Sequence, residues 1–267
     1  MTILTQDQVT QFQRDGFVVA KSFFDAEEMQ IIKSFAKTDR ATQDKAILRK
    51  DAQGGAAKLA LWNDAGDDIY GIVSRTSKLV DANEQLLGEE VYHWHHKMSM
   101  KEPFTGGAWE WHQDYGYWYK NSCLFPDLLS AFIAIDPNTL ENGCMQVIKG
   151  SHLMGRIEHG TFGDQTGADP ERVEAALKKL ELVQCVLDPG DTLFFHSNLL
   201  HRSDQNRSAN ARWSLICCYN TSRNSPFKKS GHPSYTPLQR VPNGAIKAMG
   251  RELLTTDPSS SSGQAGR

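Results

Sequence analysis

The stretch Trp109-Glu110-Trp111-His112-Gln113-Asp114-Tyr115 decides how this chain is read. It sets a histidine and a carboxylate two residues apart inside an aromatic run. Side chains on a β-strand alternate with period two, so such a pair projects from one face. Two ligands on one face suit a single metal ion if a third arrives from elsewhere. His201 is the candidate, in Leu199-Leu200-His201-Arg202-Ser203, just after the apolar run Thr192-Leu193-Phe194-Phe195. Two histidines and one carboxylate, with half the coordination sphere open, form the facial triad of non-haem Fe(II) oxygenases.

Around this stretch the chain is rich in strand signals. Candidates run over 91–101, 108–114, 128–135, 145–148, 182–187, 192–196 and 213–219. Turn residues separate them, among them Asp136-Pro137-Asn138 and Asp188-Pro189-Gly190-Asp191. One helix interrupts the series, capped by Asp169 with Pro170 in its first position. Upstream, Thr5 with Gln8 and Asp25 with Glu28 are capping-box signals for two amphipathic helices, and Gly16 ends the first. A strand over 17–23 lies between them, and 69–87 reads as one helix. Residues 38–66 read as a long polar excursion with one apolar island, Leu59-Ala60-Leu61-Trp62.

Helices first and many short strands after point to a mainly β fold with flanking α-helices. Its expected form is a jelly roll, the cupin-like double-stranded β-helix. The expected organisation is one domain over 1–255, made of a helical N-terminal region (1–90), a jelly-roll core (91–222) and a C-terminal extension (223–255). Residues 256–267, with the linker-like Ser259-Ser260-Ser261-Ser262-Gly263, are expected to be disordered.

At 267 residues the chain can bury a substantial core, and 39% hydrophobic with 23% charged residues is ordinary for a globular protein. A net charge of −3 without long runs of one sign argues against a nucleic-acid or membrane-surface partner. There is neither a bilayer-spanning apolar run nor a secretory signal at the N-terminus. Five cysteines without a C-x-x-C pair read as small core residues in a reducing, cytoplasmic compartment.

A second basic group sharpens the metal reading. Arg212 follows His201 by eleven residues, and the turn-forming segment 203–210 would return it beside His201 in a hairpin. The guanidinium fork binds a carboxylate bidentately. A metal centre with such an arginine nearby fits a dicarboxylate cosubstrate, one end on the metal and the other on the guanidinium.

In Trp111-His112-Gln113-Asp114, Ile133-Ala134-Ile135-Asp136, Glu141-Asn142-Gly143-Cys144, Gly150-Ser151-His152, Pro189-Gly190-Asp191, His201-Arg202-Ser203 and Arg212, the chain resembles the phytanoyl-CoA dioxygenase-like family of Fe(II)/2-oxoglutarate-dependent oxygenases. The resemblance runs from about Val91 to Tyr219. It implies that His112, Asp114 and His201 bind Fe(II) and that Arg212, with Ser203, holds the distal carboxylate of 2-oxoglutarate. It further implies O2-dependent hydroxylation of an unactivated C–H bond as the default outcome, with desaturation or ring closure left open, and 2-oxoglutarate giving succinate and CO2. Lys97 and Phe132 occupy positions where family members approach the cosubstrate, although methionine and tryptophan are commoner there. Lys101 is a second basic candidate on the same strand. Asp114 stands against a halogenase, which needs that coordination site vacant.

Two rivals use the same three ligands: a zinc hydrolase, and a metal-binding barrel without turnover. The substrate is expected to be a small metabolite, because the chain has no phosphate-binding glycine loop for an acyl-CoA. Alternation sends Trp109, Trp111 and Tyr115 away from the ligands, into the core. Tyr117 and Trp118, after Gly116, are expected on an exposed loop that forms a substrate wall, with the Trp62 segment as a lid and His95 near the pocket. The oligomeric state is not legible.

Overall fold

The computed structural model describes residues 2–256 apart from 52, so the expected disordered tail lies, from 257 on, outside the described residues. In chain order, α1 (Gln6–Asp15), β1 (Phe17–Ala20), α2 (Ala26–Thr38), α3 (Arg40–Lys45), β2 (Ile47–Lys50), β3 (Ala56–Trp62), α4 (Ile69–Arg75) and α5 (Ser77–Leu87) precede β4 (Val91–Lys101). There follow β5 (Trp109–His112), α6 (Asp114–Trp118), β6 (Leu128–Ala134), β7 (Met145–Ile148), β8 (His159–Phe162), β9 (Gln165–Ala168) and α7 (Pro170–Leu177). The last elements are β10 (Leu182–Cys185), β11 (Thr192–His196), β12 (His201–Ser203), β13 (Arg212–Thr221) and α8 (Ala245–Thr256).

Two antiparallel sheets face each other. The larger has the order β1-β11-β6-β13-β4-β3-β2 and the smaller β10-β7-β12-β5, which is the double-stranded β-helix expected. Alternation divides the core of the larger sheet by face. Ile133, Phe194, Leu215 and Met98 point outward onto the helices, while Phe132, Leu193, Phe195 and Ile216 point inward toward the smaller sheet. The helices start where the capping signals fall: both boxes, Thr5 with Gln8 and Asp25 with Glu28, are closed by reciprocal hydrogen bonds. Gly16 ends α1 at φ +82°, a left-handed conformation that glycine adopts without penalty.

Four expectations need correction. Residues 47–62 are not an irregular excursion but a hairpin, β2–β3, that extends the edge of the larger sheet. The helix expected over 69–87 breaks at Thr76, whose extended backbone bridges to Val241. β12 and β13 do not form a hairpin, because β12 pairs with β7 and β5 and β13 with β4 and β6. The strand over 17–23 stops at Ala20.

One irregularity in β4 matters below. His95 pairs with Cys218 and His93 with Tyr219, so Trp94 is an extra residue, a β-bulge. It shifts the alternation: Trp94 and His95 both turn to the inner side, whereas His93 and His96 meet at 2.9 Å on the outer side. All five cysteines are unpaired and buried. Among the described residues no helix is long and apolar enough to cross a membrane.

Candidate metal centre and cosubstrate cavity

β12 lies between β7 and β5, and its register sets His201 directly opposite His112. Their ring centroids are 4.0 Å apart. The chain leaves β5 at Gln113 and begins a short helix with Asp114, so the carboxylate is not on the strand, as alternation implies, but in the first turn of α6. Gln113 makes that exit rigid. Its side chain donates to the carbonyls of Gly155 and Asn198 and accepts from Ile157 N–H, and its backbone N–H donates to His159 Nε2. Gly116 lets His159 approach: a Cβ there would lie 2.3 Å from that ring.

The donor atoms of His112, Asp114 and His201 all lie within 4.8 Å of one another, and all three residues are buried. Each histidine uses Nδ1 against a backbone carbonyl two residues earlier, His112 with Glu110 at 2.6 Å and His201 with Leu199 at 2.9 Å. A carbonyl only accepts, so Nδ1 carries the proton and each Nε2 lone pair is free for a metal. Burial holds both imidazoles below the usual histidine range, in the neutral form a metal needs. Asp114 Oδ2 accepts from Ser130 Oγ at 2.8 Å, and Oδ1 has no hydrogen-bond partner. Burial alone would raise the Asp114 pKa; Lys97, then His201 and His112, hold it at about 2. Two neutral imidazoles and one carboxylate with its outer oxygen fixed fit Fe(II).

The three groups stand at one side of a cavity of about 340 Å³ between the sheets. Arg212 reaches it from the opposite sheet. Its guanidinium is buried, donates only to Asn138 Oδ1 at 3.3 Å, and leaves Nε unpartnered. Burial lowers its pKa to about 10, so it stays charged at neutral pH. Ser203 and Phe132 line the same space, the Phe132 ring 5.7 Å from the guanidinium carbon. Lys97 also lines it, with Nζ 3.6 Å from Asp114 Oδ1.

Lys101 does not. It is buried outside the cavity and donates to the carbonyls of Ser203 and Asp204, so it pins β12 rather than facing a ligand. Trp62 itself faces away, stacked on His96 and packed against Tyr70 on the outer side of the sheet, whereas Leu59 and Leu61 of the same segment line the cavity. Trp118 and Tyr117 do line the cavity, but not as an exposed loop. Trp118 is 3% exposed and sits against Trp94 and His95, and Tyr117 donates its hydroxyl to the Thr166 carbonyl. Of the aromatics assigned to the core, Tyr115 is buried there, whereas Trp109 lines the cavity. His95 lines it as expected. Sequence reading misses Ser130, Gln113 and Asn138, which orient the ligands and Arg212, and His232, which enters from the C-terminal extension. None carries a local signal, because each acts on a residue far along the chain.

This fold and site define a mononuclear Fe(II) oxygenase. Residues 12–214 match the family model "Phytanoyl-CoA dioxygenase (PhyH)", and the chain belongs to that family. It is 28% identical over 250 residues to L-proline trans-4-hydroxylase of Streptomyces griseoviridis, covering 87% of this chain and 91% of that protein. Ectoine dioxygenase of Bordetella bronchiseptica is also 28% identical, with 83% of this chain and 77% of that one covered. Among solved structures, EctD from S. alaskensis with 2-oxoglutarate and 5-hydroxyectoine superposes with a TM-score of 0.77 at 22% identity, covering 91% and 89% of the two chains. The protein is an Fe(II)- and 2-oxoglutarate-dependent dioxygenase that hydroxylates a small molecule. The zinc-hydrolase and binding-only readings are not favoured.

Proposed function

We propose that the cavity holds 2-oxoglutarate between the metal and Arg212, and that a small metabolite is hydroxylated beside Tyr117, Trp118, His95 and Lys97. The observation that carries this is Arg212: a charged guanidinium buried among apolar groups, with its Nε unpartnered, facing the metal ligands across the cavity. Leaving such a group unpaired is costly, and the distal carboxylate of 2-oxoglutarate would pair it bidentately.

Bound Fe(II), with 2-oxoglutarate and O2, supplies the oxidant for C–H cleavage and leaves succinate and CO2. The chain's own residues orient and enclose. His112, Asp114 and His201 would occupy one side of the metal, Ser203 and Arg212 would fix the cosubstrate, and Phe132, Phe195 and Ile216 keep that end dry. The size of the cavity and the names of the relatives, which concern proline and ectoine, support a compact substrate. We read 1–255 as one domain, and the unpaired thiols as fitting a cytoplasmic setting.

The test is spectroscopic and chemical. Without O2, Fe(II) and 2-oxoglutarate together give a weak visible charge-transfer band; with O2, succinate forms only when both are present. L-proline and ectoine are the first substrates to try, and a product about 16 Da heavier, one oxygen atom gained as cofactor chemistry of this kind requires, marks hydroxylation. Zinc-dependent hydrolysis without succinate would overturn the reading.

A further inference from the structure

The cavity has a second polar end that the metal and Arg212 do not use. His95 is 3% exposed and lines the cavity, yet neither of its ring nitrogens has a hydrogen-bond partner. His232 lies 5.0 Å away, centroid to centroid, also with an unpartnered Nδ1, and is stacked on Trp94 at 4.7 Å. Lys97, two residues beyond His95 on the same face of β4, has its ion pair with Asp114, through an oxygen that the metal would take. Trp118 closes this end edge-on to His95, at 5.6 Å. One buried and one half-buried imidazole, with a half-buried ammonium, on an aromatic floor are therefore short of acceptors, and unpaired polar groups enclosed in this way call for a partner.

The charge balance points the same way. The cavity is lined by Arg49, Lys97, Arg202 and Arg212 against only two carboxylates, Asp114 and Asp164. With Asp114 on the metal, Arg212 on the cosubstrate and Arg202 beside Asp204, Arg49 and Lys97 face one carboxylate, Asp164, and Lys97 is the less exposed of the two cations. Desolvation foremost, and then Lys97, push both His95 and His232 below the ordinary histidine range, the latter to about 4. At neutral pH each imidazole thus offers one N–H beside one ammonium.

We infer that Lys97, His95 and His232 form a subsite for a carboxylate of the primary substrate, so that the substrate is a small carboxylic acid whose apolar portion lies against Trp118. This rests on the reading that the cavity is the oxygenase active site. An ammonium and two N–H donors match a carboxylate, which accepts at two oxygens, better than a cation or an apolar tail. The compact volume suits a small acid.

The experiment uses the full-length protein loaded with Fe(II) and saturating 2-oxoglutarate, without O2, and calorimetric titration with matched pairs: L-proline and L-prolinamide, cyclohexanecarboxylate and its carboxamide, benzoate and benzamide. Expected is binding of at least one acid that exceeds its amide by about tenfold or more, the scale of one charge-assisted contact. His95→Gln, which keeps a donor, should retain more of that preference than His95→Leu, and His232→Phe, which keeps the stack on Trp94, should reduce it. The charge-transfer band, recorded on each variant, reports metal and cosubstrate separately. No band in the wild type defeats the oxygenase reading itself. A normal band with acids and amides binding alike, or with none binding, overturns only the carboxylate subsite. Displacement of 2-oxoglutarate by the acid also overturns it, because the groups would then belong to the cosubstrate.

Discussion

The two sheets meet at one cavity but prepare it differently. On the smaller sheet, His112 and His201 sit on neighbouring strands, and each fixes its own tautomer through a carbonyl two residues back. On the larger sheet, Arg212, Lys97 and His95 come from two adjacent central strands, and Arg212 Nε and both His95 nitrogens lack partners. The metal side is thus preorganised by local bonds, while the opposite side holds buried polar groups that a ligand would complete. A metal needs fixed geometry before it arrives; an organic anion brings its own hydrogen-bond acceptors.

This contrast can be broken most forcefully at the metal side. Asp114→Ala removes the carboxylate, and iron binding should weaken by more than about 100-fold, beyond the loss usual for an outer partner. Iron titration followed by the charge-transfer band measures it, and near-normal affinity would mean that the smaller sheet is not the metal side. Next comes Arg212→Ala, which should raise the 2-oxoglutarate requirement by about 100-fold while iron binding stays close to normal, and Arg212→Lys should recover only a fraction of it. An unchanged requirement would move the cosubstrate elsewhere in the cavity. The smallest effect tests the boundary of the larger sheet's contribution. Lys101→Met leaves carbonyls of Ser203 and Asp204 without their donor, so stability should fall by roughly 1–3 kcal/mol in denaturant unfolding. The 2-oxoglutarate requirement should barely move, and a large rise there would return Lys101 to the cosubstrate site.

What is legible in the sequence follows the same division. His112, Asp114, His201 and Arg212 are read from short spacings and turn residues, and all four reach the cavity. Local spacing misjudges the route twice. It places Asp114 on the strand, because nothing nearby announces that Gln113 is clamped to residues 155, 157 and 198 and turns the chain into a helix. It places Arg212 in a hairpin with His201, whereas the 203–210 segment crosses from one sheet to the other. Trp118 and Trp62 mislead for a related reason: a run of aromatics beside turn residues looks exposed until the strands that cover it are known. Trp118 is covered by Trp94 and His95, and Trp62 by His96 and Tyr70. Ser130 and Asn138 are invisible because each works on a residue distant in the chain.

The bulge at Trp94 changes how this pocket can be altered. It acts as a phase shifter: on its C-terminal side β4 keeps the alternation that presents Lys97 and Ser99 to the cavity, and on its N-terminal side the opposite phase presents Tyr92 and Trp94 to the inner core. Removing one residue at this point would bring the two halves into a single phase. His93 and His95 already pair with consecutive residues of β13, Tyr219 and Cys218, so both would keep their faces, and only the tryptophan would leave the inner wall, without touching any iron ligand. A substitution would trim this indole in place, whereas the deletion would remove it and straighten the strand, leaving the neighbouring side chains on their present faces. The strands that carry His112 and His201, β5 and β12, belong to the other sheet, so a change at this bulge leaves both histidines in place.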